Sequence, residues 1–209
     1  MDALCWSDYL CPWCYVGQDR TELLASLGVR VTVLPFELHP NIPAGGVERA
    51  PSAARYAGPA AEAEELGLPF DPPVRTPNTR RVLEVSEWVR RAVGPDAHAR
   101  FSALVFKAHF VQHLSIDDVP VLDGLLEAAG VGGGEAWDAV AGGEPSAWVD
   151  SSMALAREAG VAGTPAWLVG ANGAGARADP DSGFLIPGVQ PRPFFQRIIR
   201  NMRARTSQK

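Results

Sequence analysis

Residues 6–17 have the sequence WSDYLCPWCYVG, in which two cysteines are separated by two residues. Before this stretch, the apolar run Ala3–Trp6 predicts a short strand, and after it the composition of Tyr15–Leu27 predicts a helix. Two cysteines at this spacing form a disulfide only where the backbone turns tightly, and the first turn of a helix supplies that turn. We therefore expect a strand that leads into a redox-active pair at the start of a helix.

The two cysteines are expected to have different roles. Cys11 falls near the helix N-cap with Pro12 at the first helical position, where the missing N–H costs little. The free amides and the positive end of the helix dipole stabilise a thiolate on Cys11. Cys14 lies one turn into the helix and should be less exposed. The hypothesis is that Cys11 attacks and Cys14 resolves; alkylation that consumed Cys14 first would reverse it.

A CxxC pair also occurs in zinc sites and as a structural disulfide. A zinc site needs two further ligands at suitable spacing. The remaining cysteine and histidines are Cys5, His39, His98, His109 and His113. They form no zinc pattern; His109 and His113 lie one helical turn apart, but we interpret them as surface or cover residues. A disulfide that closes so short a loop would stabilise little. We therefore predict redox chemistry and no metal, and interpret Cys5 as a small buried residue.

Composition narrows the class of partner. The chain has 209 residues, a formal net charge of -5 and no basic stripe, which argues against nucleic acid as a partner. Met1-Asp2-Ala3 leads directly into the first strand without a basic or apolar leader, and no apolar run has membrane-spanning length. We therefore expect a cytoplasmic protein that needs no membrane, in which three cysteines suit a reducing compartment.

The order of patterns along the chain predicts an α/β protein with a large helical insertion. A helix over about 12–26 and a β-branched run at Val29–Leu38 complete a βαβ unit with the first strand. The β signal then disappears until about Gly160. The helices predicted in between cover about 51–67 (weak, interrupted at Gly58-Pro59), 76–93, 97–113, 117–129, a short segment near 136, and 145–159. Strands at 166–169 and 183–187, a loop at 171–181 and a closing helix to about 204 follow. Glu37 is interpreted as an exposed charge.

Gly163-Thr164-Pro165 precedes the strand at 166–169. A proline at the start of a strand is common in itself. In a redox βαβ protein, a cis peptide bond before Pro165 would turn the Thr164 backbone toward Cys11 and leave its N–H and C=O free to pair with an extended substrate. The Thr164 hydroxyl would also donate to the Cys11 thiolate and favour the ionised form.

The chain resembles the DsbA-like thioredoxin-fold oxidoreductases, and within them the FrnE-like branch, which is related to the 2-hydroxychromene-2-carboxylate isomerases and kappa glutathione transferases. The matching segments are residues 6–8 (WSD), 11–17 (CPWCYVG), 35–38 (PFEL), 77–79 (PNT), 106–110 (FKAHF), 163–165 (GTP) and 186–191 (IPGVQP). These segments are spread over nearly the whole chain and occur in the expected order, so the resemblance is more specific than CxxC alone.

The resemblance implies a thioredoxin-like domain formed by residues 1–40 and 160–209, with an all-helical insertion at 41–159 that covers the cleft. It implies dithiol–disulfide exchange through Cys11 and Cys14, supported by Pro12 and Trp13, and substrate contact at Trp13, Gly163 and Thr164 beside a cis Pro165. No cofactor is required; glutathione enters as a substrate or redox partner. The expected partners are a disulfide-bearing protein or a small thiol or disulfide, and a homodimer is compatible with the sequence.

Several features depart from the family pattern. The central dipeptide is Pro-Trp instead of the Pro-His of periplasmic DsbA, so Cys11 should be less acidic and the pair less oxidising. Pro187 stands where relatives often carry Ser. The loop at 171–181 is longer than is usual in the family, and the segment at 47–66 is shorter. Because these changes lie near the expected substrate region, the substrate, redox partner and direction of flux are left open.

Two other functions fit the same scaffold. A glutathione-dependent isomerase or transferase acting on a small aromatic metabolite generally uses Ser where this chain has Cys11, so the two cysteines argue against it. A noncatalytic partner-binding protein would use the pair only as a redox sensor. Trapped mixed disulfides on Cys11 and loss of activity in Cys14→Ser would favour the oxidoreductase over both.

Overall fold

A mixed four-stranded sheet brings the two ends of the sequence together. The computed structural model describes residues 1–48, 52–170 and 183–206. Its strands are β1 (Asp2–Ser7), β2 (Arg30–Pro35), β3 (Val47–Glu48), β4 (Arg75–Thr76), β5 (Ala166–Val169) and β6 (Phe184–Pro187). The main sheet has the order β2-β1-β5-β6. β1 is parallel to β2 and antiparallel to β5, which is antiparallel to β6. The end of β1 therefore lies at the centre of the sheet.

Eight α-helices lie in the described part of the chain. They are α1 (Pro12–Ser26), α2 (Ala53–Leu66), α3 (Arg80–Trp88), α4 (Pro95–Phe110), α5 (Val119–Ala128), α6 (Gly133–Gly142), α7 (Glu144–Glu158) and α8 (Arg192–Thr206). α3 continues into a π-helical segment, Val89–Val93. None of the helices described is long and apolar enough to cross a membrane.

The side chains of β1 alternate between the two faces of the sheet and pack in a different apolar cluster on each face. Cys5 packs in one cluster with Leu24 of α1 and Phe195 of α8. Trp6, on the opposite face, packs in a second cluster that contains Ala156 of α7. Successive residues of a strand point to opposite faces, so the pattern of β1 places helices on both sides of the sheet.

The helices between β2 and β5 build a third apolar cluster around α4. Phe101, Phe106 and Phe110 of α4 are buried at its centre. Cys11 and Cys14 belong to the same cluster, so the start of α1 packs against the helical region instead of facing open solvent. The α/β class with a helical insertion is confirmed, whereas its division at residues 41 and 159 stays a prediction.

Most element bounds lie within a few residues of those predicted. Two helices and one side chain differ from the predictions. α2 is continuous through Pro59, so the predicted interruption there is wrong. The helix expected from residue 76 begins at Arg80, because the preceding residues 75–76 pair with 47–48 as a two-stranded sheet. Glu37 is 9% exposed and pairs with Arg80 at 3.2 Å, which corrects its interpretation as a surface charge. The 171–181 loop lies outside the described residues.

Candidate redox site

The cysteine pair occupies the first turn of α1, directly after β1. Cys11 is the N-cap residue in an extended conformation, and Pro12 follows at the first helical position. The Cys11 carbonyl accepts the Cys14 N–H at 3.0 Å and the Tyr15 N–H at 3.2 Å. This turn brings both side chains to the same end of the helix, and both are free thiols. The predicted strand–turn–helix setting of the pair is therefore present.

The two thiols differ in acidity although their burial is almost equal. Cys11 is 4% exposed and Cys14 is 3% exposed, so exposure does not separate them as the sequence led us to expect. A hydrogen bond from the Cys14 thiol lowers the pKa of Cys11, against the opposing effect of burial. Burial raises the pKa of Cys14 well above its ordinary value, and its bond to Cys11 raises it further. When the pair loses one proton, it is therefore Cys11 that takes the negative charge, while Cys14 keeps its proton.

The loop before β5 lies against Cys11. The Thr164–Pro165 peptide bond is cis, and the Cys11 thiol donates to the Thr164 carbonyl at 3.4 Å. The Thr164 hydroxyl oxygen is buried and has no hydrogen-bond partner within the described residues. It makes a smaller contribution to the lowered pKa of Cys11. A Cβ added to Gly163 would meet nothing within 4 Å, so open space lies beside the loop.

Trp13 is the exposed side chain of the motif. It is 37% exposed, whereas Pro12 and both cysteines are buried. Its indole lies against Gly58 of α2, where an added Cβ would come within 2.7 Å of the Trp13 Cζ2 atom. One side of the indole is thus in contact with the helical region, while Trp13 itself stands between Cys11 and Cys14 in the sequence.

Asp8 is a buried carboxyl group to which the sequence analysis assigned no role. It is 0% exposed. Its Oδ2 accepts the Leu38 N–H at 2.7 Å and its own N–H donates to Cys14 Sγ at 3.5 Å. Burial raises the pKa of Asp8 to about 7, despite the hydrogen bond from Leu38. Its position three residues before Cys11 places it close to the cysteine pair in the sequence, but the sequence does not show that the carboxylate of this loop residue is buried.

The other candidate residues lie apart from this turn. Burial raises the pKa of Cys5 to about 12, as expected of a buried thiol in the sheet. Burial lowers the pKa of His109 to about 4, and its ring packs edge-on against Phe110. His109 is thus a buried residue, whereas His113 contacts Asp71. In the ranges that the structure describes, no cluster of three or more His, Cys, Asp or Glu side chains is arranged to hold a metal ion.

Comparison with known sequences gives two matches. A family model described as DSBA-like thioredoxin domain matches residues 4–200. YwbO of Bacillus subtilis, an uncharacterised protein, is 25% identical over 202 residues, which is 93% of each chain. Both matches extend across the helical region as well as the sheet.

Comparison with solved structures gives similar folds over the whole length. A probable DsbA oxidoreductase from Streptomyces coelicolor has a TM-score of 0.79 at 21% identity, covering 98% of this chain and 90% of that one. The cytosolic disulfide reductase DsbM from Pseudomonas aeruginosa has a TM-score of 0.66 at 22% identity, with 96% and 99% covered. A 2-hydroxychromene-2-carboxylate isomerase has a TM-score of 0.68 at 18% identity, with 100% and 97% covered. These likenesses concern the fold.

Proposed function

Since its residues 4–200 match the family model, the chain belongs to the DsbA-like thioredoxin domain family, and we propose that it is a thiol–disulfide oxidoreductase acting through Cys11 and Cys14. The predicted DsbA-like thioredoxin fold is confirmed by this match and by the solved structures. The observation that carries the proposed activity is the position of two free thiols in the first turn of α1, with Cys11 Sγ 3.4 Å from the Thr164 carbonyl oxygen before the cis Pro165; the lowered pKa of Cys11 and the raised pKa of Cys14 agree with it.

Exchange begins with the Cys11 thiolate. It attacks one sulfur of a substrate disulfide, forms a mixed disulfide and releases the other substrate sulfur as a thiolate, which takes up a proton. Cys14 then attacks the Cys11 sulfur, which closes the Cys11–Cys14 disulfide and releases the second substrate sulfur as a thiolate. Two electrons pass from the pair to the substrate. The reverse sequence oxidises a substrate dithiol.

The second attack requires Cys14 to lose its proton, although burial raises the pKa of Cys14 well above its ordinary value. We assign Asp8 as the proton acceptor. Its main-chain N–H donates to Cys14 Sγ at 3.5 Å, which places the residue beside Cys14 but cannot itself accept the proton. The carboxyl group, whose Oδ2 accepts the Leu38 N–H at 2.7 Å, would take it up, and burial raises the pKa of that group to about 7. A carboxylate with a pKa near neutrality accepts a proton at the working pH far better than an ordinary aspartate does.

Substrate is proposed to bind along the loop before β5. The hydrogen bonds among the described residues include none from the Thr164 N–H, so this group is available to a substrate carbonyl. Gly163 leaves space beside it. Trp13 supplies an exposed aromatic surface. An extended peptide that carries a disulfide would pair with this backbone as an added strand.

Glutathione is a second proposed partner. The DsbM structure exists with GSH, and that protein is called a cytosolic disulfide reductase. The similarity to DsbM supports a cytoplasmic setting and a small thiol as the electron source for this chain. The glutathione-dependent isomerase reaction receives no comparable support, because this chain has a thiol pair at the start of α1.

The experiment that tests the proposed function is trapping of the mixed disulfide. The Cys14→Ser variant, mixed with a disulfide-bonded peptide, should accumulate a covalent adduct on Cys11 that mass spectrometry of the digested protein locates. Cys5→Ser is the matched control and should turn over like the wild type. An adduct on Cys14 in Cys11→Ser, with none on Cys11 in Cys14→Ser, would reverse the roles; no adduct in either would refute exchange.

A further inference from the structure

An open cleft of about 430 Å³ lies between α1, β2 and α4. Gly17 and Thr21 border it on α1, Val33 on β2, and Ala99 on α4. Cys14 lines it too, whereas Cys11, Trp13 and Thr164 are not among its lining residues. The cleft therefore reaches the cysteine pair from the side of Cys14, and it meets the loop on which substrate exchange is proposed at Pro165, which also lines it.

The walls of this cleft, which we call the α1–α4 cleft, suit a small apolar occupant. Its volume is within the range of small-molecule sites, roughly 300–1,000 Å³. The aromatic and cysteine residues that line it are each at most 3% exposed, so they offer an occupant little surface. Val33 is half-buried, and Ala99 and Ala103 are exposed, so these three leave apolar surface to be covered.

The charges around the α1–α4 cleft favour a neutral occupant. Arg30 pairs with Asp2 at 2.7 Å, and Arg90 pairs with Glu87 at 2.6 Å. Burial lowers the pKa of His98 to about 4, so this ring is uncharged at neutral pH. Both arginines that line the cleft are thus paired with carboxylates, and Glu22 adds a negative charge to its lining, so the described part of the cleft favours a neutral molecule over an anion such as glutathione.

Gln18 supplies a polar group that would orient an occupant. Its Nε2 donates to the Tyr15 carbonyl at 3.0 Å, which turns the amide and leaves its oxygen as an acceptor. Gln18 is half-buried and lines the cleft. A hydroxyl group on an aromatic ring is a suitable donor to that oxygen.

We propose that the α1–α4 cleft binds a small, neutral, apolar molecule that carries one hydroxyl group, such as a phenol, beside Cys14. Binding itself does not depend on the proposed exchange activity. A second consequence does rest on it: an occupant that excludes water from Cys14 Sγ disfavours its thiolate further. The bound molecule would then slow the attack of Cys14 on the mixed disulfide.

The binding test uses 2-naphthol with the reduced full-length protein, measured by isothermal titration calorimetry near neutral pH. Ala99→Phe fills the cleft from an exposed position of α4, and Ala128→Phe places the same side chain at an exposed position of α5 outside the cleft. We expect 1:1 binding to the wild type and to Ala128→Phe, and at least about tenfold weaker binding to Ala99→Phe, the cost of an excluded apolar ligand. Absence of saturable binding, or equal affinity in Ala99→Phe, overturns the site.

A separate measurement tests the coupling. A Cys11 mixed disulfide formed by rapid mixing with a disulfide peptide should resolve more slowly with 2-naphthol bound, and this slowing should be absent in Ala99→Phe. An unchanged rate in the wild type at saturating 2-naphthol refutes the coupling while the binding site stands. A protein that binds 2-naphthol but never forms a mixed disulfide refutes the proposed exchange function and leaves the site intact.

Discussion

The indole of Trp13 lies directly on the backbone of Gly58, so that a Cβ on Gly58 would approach the Trp13 Cζ2 atom to 2.7 Å. Gly58 is within α2 and has no positive φ angle, so the backbone itself does not require glycine there. Glycine within a helix destabilises it by about 1 kcal/mol relative to alanine. The contact with Trp13 is the physical reason for glycine at this position.

Gly58→Ala should therefore displace the indole and alter substrate binding next to Cys11. We expect the KM for a disulfide peptide to change several-fold, with thermal stability equal or slightly higher because alanine favours the helix. Gly124→Ala in α5 is the control, since a Cβ there meets nothing within 4 Å. Identical KM values for both variants would contradict a role of Gly58 in positioning Trp13.

The acidity of Cys11 should depend on Cys14. The hydrogen bond from the Cys14 thiol is the largest cause of the lowered pKa of Cys11, so Cys14→Ala should raise that pKa toward its ordinary value. The measurement is the rate of Cys11 alkylation by iodoacetamide as a function of pH, with the site identified by mass spectrometry. Cys5→Ala should leave the titration unchanged. A Cys11 titration that is the same in Cys14→Ala would contradict the assigned hydrogen bond.

The Thr164 hydroxyl should also lower the pKa of Cys11, but by less than the Cys14 thiol does. It has no hydrogen-bond partner among the described residues, so Thr164→Val breaks no bond in the thiol form. The variant should unfold at nearly the wild-type temperature, while the alkylation midpoint of Cys11 moves to higher pH. An unfolding temperature that drops sharply with no shift in the midpoint would show a structural role instead.

Asp8 should make stability depend on pH. Burial raises the pKa of Asp8 from 3.8 to about 7 in the folded protein, so the folded state keeps a proton that the unfolded state loses above about pH 4. The free energy of unfolding is therefore highest below about pH 4 and falls as the pH rises from there through 7. Asp8→Asn stays neutral and retains an oxygen for the Leu38 N–H. The difference in unfolding free energy in favour of the variant should grow as the pH rises from about 4 to 7, and its change should reach on the order of 4 kcal/mol above pH 7. Denaturant unfolding at several pH values measures the difference.

The same variant tests Asp8 as a proton acceptor. Without the carboxylate, resolution of the mixed disulfide near pH 7 should slow by about 100-fold, the lower end of the usual effect of general base catalysis. Formation of the mixed disulfide should not slow, because the charge of Asp8 raises the pKa of Cys11 and its removal favours the thiolate. Unchanged resolution in a folded Asp8→Asn protein would exclude this role.

The parts of the fold that follow from local patterns could be predicted. α1 was expected over the residues that the structure assigns, Pro12–Ser26, because proline at the first position and Gly28 just beyond the end mark both termini. β5 was expected at Ala166–Val169 from a continuous apolar run. Two-residue strands such as β3 give no periodic signal, so the small sheet was missed.

The parts of the site that depend on distant contacts could not be predicted. Glu37 is buried because Arg80, distant in sequence, pairs with it at 3.2 Å, and a charged residue at a strand end gives no sign of such a partner. The contact of Trp13 with Gly58 likewise requires the packing of α2 on α1. In the same way, the raised pKa of Asp8 comes first from burial, which is a property of the assembled loop.

The most direct test of thiol–disulfide exchange is the equilibrium of the Cys11–Cys14 pair against defined mixtures of reduced and oxidised glutathione, read by mass after acid quench and alkylation. Exchange through this pair predicts one cooperative two-electron transition between about −270 and −120 mV, the interval between thioredoxin and DsbA. A pair that forms no disulfide, or that stays oxidised far below this interval, would contradict catalytic exchange.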